Sequence, residues 1–169
     1  MTGRLTTRLA PADQKRGWTQ KFHESERELR ELLAPQTGPR SADTVNAARH
    51  RLHSFYVQTY HIKDALKEDA GSTGVSGMTV ENAITAEPIL ALLADLANLD
   101  KHGKLNKPPR SGSVPVIESV GGISDHDSQP ETWRLDVVIR HASKTLDGLK
   151  VAEDAVLAWR KLLEGWGLL

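Results

Sequence analysis

Apolar positions recur along this chain with two different periods. Leu52, Phe55, Thr59, Ile62 and Leu66 follow a 3-4-3-4 spacing, which aligns them on one face of an α-helix. Ile89, Leu92, Leu93, Leu96 and Leu99 make a second such stripe, and Val151, Ala155, Ala158, Trp159 and Leu162 a third. A charged first helix is predicted over about residues 12–34, ended by Pro35 and the Gly38-Pro39 pair. Ser41 or Asp43 can cap the second helix, which continues to about residue 68. Residues 69–77 hold three glycines and read as a flexible loop, and the third helix spans about 80–102. Pro88 lies inside that span and suits a first helical turn, so a proper start near Glu87 is expected. After the breaker Pro108-Pro109-Arg110-Ser111-Gly112 the period falls to two. Residues 113–120 and 131–141 read as a β-hairpin with a long loop, Trp133, Leu135, Val137 and Ile139 sharing one face. A last helix spans about 148–165. The expected fold is mainly α, a four-helix bundle with a β-hairpin inserted before the last helix. Residues 1–11 are expected to form a flexible N-terminal arm, and residues 12–169 a single helical domain with the hairpin insertion at about 113–141.

Composition narrows the function classes. Lys+Arg and Asp+Glu both number 22, so the whole molecule exerts no net pull on nucleic acid or anionic membrane, and any such binding needs a local patch. Cysteine is absent, which removes disulfides, thiolate metal sites and a cysteine nucleophile, and agrees with a cytoplasmic setting. The first twelve residues lack the apolar centre of a signal peptide. No apolar run approaches the roughly 20 residues that span a bilayer, so no membrane association is expected.

Each central helix carries a polar strip beside its apolar stripe. On the second helix Arg49, His53, Tyr56, Tyr60 and Asp64 share one flank, while His50 and His61 point to the far side. On the third, Asp95, Asn98 and His102 are spaced i, i+3, i+7. If the strips face one another, His53, Tyr60, Asp64, Asp95, Asn98 and His102 line one cleft. Polar flanks are also ordinary on amphipathic helices, and Lys101, His102 and Lys104 before and after Gly103 suit a helix C-terminus. The basic run Lys101, Lys104, Lys107, Arg110 can meet a phosphate backbone, with few aromatics nearby to stack on bases. Arg134 and His141 lie seven apart in a strand, on opposite faces, and form no pair. The i, i+3 pairs His50–His53 and His61–Asp64 do not recur as a Glu-x-x-His set on two helices, so no metal and no cofactor is expected. No phosphate-binding or dinucleotide loop and no Gly-x-Ser-x-Gly occurs. Trp18, Tyr60 and His61 are large groups without an assured place in the core and suit a partner interface.

Asn98 followed by Lys101-His102-Gly103 resembles the end of the motif of the HEPN superfamily (higher eukaryotes and prokaryotes nucleotide-binding). The segment Tyr60-His61-Ile62-Lys63-Asp64 on the preceding helix, combined with Asp95 to His102, also resembles uncharacterised bacterial proteins with this helical layout. The likeness covers roughly residues 41–103 and, loosely, the last helix. Its members are bundles of about four helices, often dimeric, found in toxin–antitoxin and antiviral systems, and many are metal-independent ribonucleases. Their motif is an Arg, commonly a polar residue next, then a His after four to six intervening residues. Asn98 matches the polar position and His102 the His, while Ala97 stands where the family has Arg. Arg would supply a permanent, bidentate phosphate contact. The resemblance therefore implies a protein binding RNA, a nucleotide or a partner protein, with weak or lost ribonuclease activity. His102, Asn98 and Lys101 would be its catalytic positions, and Asp95, His53, Tyr60, Asp64, Arg49 and Lys104 its binding positions. It also implies a homodimer and an RNA or antitoxin-like protein partner. Two alternatives stand beside it: an active metal-independent ribonuclease using His102, and a structural protein–protein interaction bundle without a small-molecule site.

Overall fold

The helical stripes read from the sequence face the core, although Ile89, Leu99 and Leu162 are only half-buried. The computed structural model describes residues 17–125, 127 and 130–169, and only the backbone of residues 100–102. The expected N-terminal arm and the start of the first helix lie outside the described residues. Helix α1 (Trp18–Leu33) buries Phe22, Ser25, Leu29 and Leu32 along one face. Helix α2 (Ala42–Tyr60) starts at Ser41, whose Oγ accepts from the Thr44 N–H while the Ser41 N–H donates to Thr44 Oγ1 at 2.9 Å. This reciprocal capping box satisfies donors a helix start leaves open, and it selects Ser41 over Asp43. Leu52, Phe55, Thr59, Ile62 and Leu66 are all fully buried.

Two helical expectations are corrected, and on the third helix the expected start near Glu87 holds while residues 77–86 form a helix of their own. The second helix is interrupted at His61 and resumes as α3 (Ile62–Glu68). The expected loop at 69–77 contains a short helix, α4 (Ala70–Thr73), stopped by Gly74 at φ 71°. The third helix is two: α5 (Gly77–Ala86), capped by Ser76 Oγ, and α6 (Pro88–His102). Pro88 disfavours helical backbone at the residue before it, and Glu87 accordingly adopts φ −93°, ψ 109°, with Pro88 in the first turn of α6.

The chain is mainly helical with a small antiparallel sheet. Strand β1 (Gln36–Thr37) pairs with β3 (Thr132–His141), and β3 pairs on its other side with β2 (Val116–Asp125). β2 runs through Gly121-Gly122, a pair expected in the loop. β4 (Lys144–Asp147) extends the hairpin through a tight turn in which Ala142 has φ 54°. Trp133, Leu135, Val137 and Ile139 are buried as their alternation requires. Helix α7 (Gly148–Gly165) packs on that face and on α1 and α6, while α2 packs on α1 and α6. No described helix is long and apolar enough to cross a membrane.

Two buried polar contacts fix helix positions. Thr59 Oγ1 donates to Ser25 Oγ (3.2 Å), which donates to the Lys21 carbonyl, tying α2 to α1. Tyr56 Oη donates to the Gly148 carbonyl at 2.8 Å, tying α2 to the start of α7, and burial followed by the Asp147 charge pushes its pKa up. A Cβ on Gly148 would lie 2.7 Å from Val137 Cγ1 and 3.1 Å from Tyr56 Oη, so only glycine lets α7 approach β3 this closely. Gly148→Ala is therefore expected to destabilise the protein by about 1–3 kcal/mol through overpacking. A urea midpoint equal to that of the wild type would contradict this account of the α7–β3 junction.

Candidate functional site

The chemistry gathers where the chain leaves α6. Gly103 ends that helix at φ 67°, its N–H donating to the Leu99 carbonyl at 2.7 Å. The following loop then folds back along the helix and is fastened to Asp95. One carboxylate oxygen accepts from the Arg110 N–H at 3.0 Å; the other accepts from the Ser111 N–H at 2.9 Å and the Ser111 hydroxyl at 2.6 Å. Asp95 is 2% exposed. It thus holds the loop rather than presenting its carboxylate to solvent, and buried charge of this kind persists only with such partners.

His141 Nε2 lies 2.9 Å from Ser111 Oγ. The hydroxyl has one proton, and its shortest contact gives that proton to Asp95, so His141 Nε2 carries a hydrogen and donates. His141 in this arrangement supports the loop and does not activate Ser111.

With its backbone fastened, Arg110 carries its guanidinium back towards α5. Nη2 donates to Glu81 Oε2 at 2.7 Å, while Nη1 is buried and has no hydrogen-bond partner among the described residues. Glu81 Oε1 accepts from Lys67 at 2.9 Å and Lys63 at 3.3 Å. Lys63 also donates to Asp64 at 3.1 Å and lies 4.8 Å over the Tyr60 ring. Partial burial works to raise the Glu81 pKa, but hydrogen bonds from Lys67 and Arg110 and the charges of Lys63 and Arg110 outweigh it and bring it down to about 2. Desolvation opposes the charge of Arg110 and Lys63 as well. It is outweighed by the hydrogen bond to Glu81 at Arg110 and by the hydrogen bond to Asp64 at Lys63, with neighbouring negative charge, so both are raised.

Beside this cluster is a cavity of about 320 Å³. Lys104, Lys107 and Arg110 bring positive charge to it, Asn98 and Asn106 bring amides, and Tyr60, Leu105 and Pro108 complete its walls, with Asp95 at its edge. Cations and amide donors around a small cavity suit an oxyanion.

Of the residues expected to share a cleft, Tyr60, Asp95 and Asn98 do meet here, joined by Lys104. His53 does not: with Asn46 and Arg49, a binding position implied by the resemblance, it lines a separate hollow against residues 117–120 of β2, because α2 lies beside the sheet at that height. Asp64 is engaged by Lys63 next to the cluster, outside the cavity lining. Lys101 and His102 form the last turn of α6, and their side chains lie outside the described residues. Tyr60, expected to suit a partner interface, is buried. Among the described residues no group of three or more His, Cys, Asp or Glu could hold a metal ion. Ala97 is 3% exposed and packs in the core. The sequence pointed to Arg110 only as part of a basic run and not at all to Glu81, Lys67, Ser111 or a role for His141. Arg110 and Glu81 are 29 residues apart, and no local spacing announces their pairing.

The chain matches no protein-family model, and searches of curated proteins and of solved structures likewise find no match.

The low Glu81 pKa has a consequence for stability. Its stabilising ion pairs are complete above its ordinary value of 4.5 and fade as pH falls towards about 2. Glu81→Gln is expected to flatten the stability curve across that window relative to wild type. Urea midpoints at stepped pH check this, and parallel curves would contradict it.

Proposed function

We propose that this protein is a HEPN-like helical protein that binds RNA or a nucleotide through phosphate, at the cavity beside the end of α6, with weak or lost ribonuclease activity. Arg110 carries this reading: it lines the cavity together with Lys104 and Lys107, and its buried Nη1 has no acceptor among the described residues. An unmade hydrogen bond of a buried donor costs about 1–3 kcal/mol, and an incoming phosphate oxygen would recover it. In this proposal α1, α2, α6 and α7 are the four-helix core, and the strands are its insertion. Arg110 brings to Asn98, from the loop, the guanidinium that Ala97 cannot supply from the helix. His102 is then a residual member of the site, and the homodimer, the antitoxin-like partner and the defence setting remain what the family likeness suggests.

Fluorescence anisotropy with a labelled single-stranded RNA tests this. Arg110→Gln is expected to weaken binding at least roughly tenfold and to lower the salt slope by about 0.7 for each phosphate it no longer neutralises. RNA incubated without metal is expected to be cut no faster by wild type than by His102→Ala. Unchanged affinity in Arg110→Gln would remove the site, and cleavage that disappears in His102→Ala would establish an active ribonuclease instead.

A further inference from the structure

Glu81 is an anion already seated among cations. Its two oxygens are shared between Lys63 and Lys67 on one side and Arg110 on the other, and these three side chains come from two separate parts of the chain. Lys63 and Lys67 stand one helical turn apart on α3, while Arg110 arrives on the strap fastened to Asp95. Three positive charges meet one carboxylate. Asp64, on Lys63, and Asp95, whose charge acts on Arg110, offset part of the remainder.

Arg110 belongs to both places. One guanidinium nitrogen is spent on Glu81, the other is buried and unpartnered among the described residues, and the residue lines the cavity. The two nitrogens of a guanidinium form one rigid fork, so anionic groups bound to them are immediate neighbours. Glu81 reaches its seat by a flexible side chain that is 28% exposed, and it can leave without moving α5.

We propose that Glu81 is a resident competitor anion, and that the site selects ligands with adjacent phosphates, one held in the cavity and the next taking the place of Glu81 on Lys63, Lys67 and Arg110. The inference rests on the phosphate-binding cavity proposed above. A single phosphate fills the cavity alone and leaves Glu81 seated. A pyrophosphate group carries enough charge to displace one carboxylate and occupy both positions. The ligand class is a pyrophosphate ester, whether a nucleoside di- or triphosphate or the 5′ end of a triphosphorylated RNA. The ring of Tyr60, buried and covered by Lys63, offers no open face for a base, so recognition rests on the phosphates.

Isothermal titration of the full chain with inorganic orthophosphate and pyrophosphate tests the proposal. Wild type is expected to bind pyrophosphate about tenfold or more tightly than orthophosphate. Glu81→Gln is expected to bind orthophosphate roughly tenfold more tightly than wild type does, narrowing the gap. Lys63→Gln/Lys67→Gln is expected to lose the pyrophosphate preference while keeping orthophosphate binding, and it serves should Glu81→Gln not fold. Equal affinities of wild type for the two anions, or a folded Glu81→Gln with unchanged or weaker orthophosphate binding, would overturn the proposal. RNA binding without any pyrophosphate preference would remove this inference alone, whereas binding of neither phosphate nor RNA would remove the cavity with it. Nucleoside triphosphate against 5′-triphosphorylated and 5′-monophosphorylated RNA then separates the two sources.

Discussion

Asp95 sits in the seam of α6 with almost no exposed surface, and three donors of the strap surround its carboxylate. Each of these contacts has consequences further away. The two backbone donors set the course of the chain between α6 and β2, and that course sets where Arg110 can point. The hydroxyl donor brings in Ser111, and through it His141 at the far end of β3. A buried carboxylate is costly in itself, and removing its partners would leave an uncompensated charge worth several kcal/mol. The strap and the helix are therefore bound by mutual need: the strap supplies the donors that the buried carboxylate requires, and the carboxylate fixes the strap's backbone at Arg110 and Ser111.

The polar elements of the interior share a pattern. They occur where two elements cross, and they specify the crossing. Thr59 and Ser25 meet between α2 and α1, and Tyr56 meets the Gly148 carbonyl where α7 begins against β3. Apolar packing supplies most of the cohesion and tolerates small slides. A hydroxyl bonded to one particular oxygen does not. Trp159 is the exception, fully buried with an indole N–H that has no acceptor among the described residues.

Much of the architecture is legible in the sequence because it follows from local period. The stripe from Leu52 to Leu66 and the alternation from Trp133 to Ile139 are buried faces as written. The break at Glu87 is readable from Pro88, whereas the break at His61 carries no proline or glycine to announce it. Asp95 misleads for a specific reason. It stands four residues from Ala91 and Leu99 and three from Leu92, which places it in the apolar seam, but its charge suggests a flank. The site is half legible: Tyr60, Asp95, Asn98 and Lys104 converge, but the groups that give it its electrostatics come from α3, α5 and the strap. Pairing across such separations depends on how helices dock, and that information is spread over the whole core.

β1 is only two residues long, yet it lies beside the start of β3, with Gln36 opposite Trp133. Arg40, just beyond it, donates to the Gly122 carbonyl of β2. The hairpin, an insertion when the chain is read in order, is thus stitched to the segment that joins the first two helices. It is no detachable ornament. A gene fragment ending before β2 would leave Gln36 and Thr37 without a strand to join, and a fragment beginning at β2 would lack its border. Any shuffling of this chain between proteins has to move both ends together.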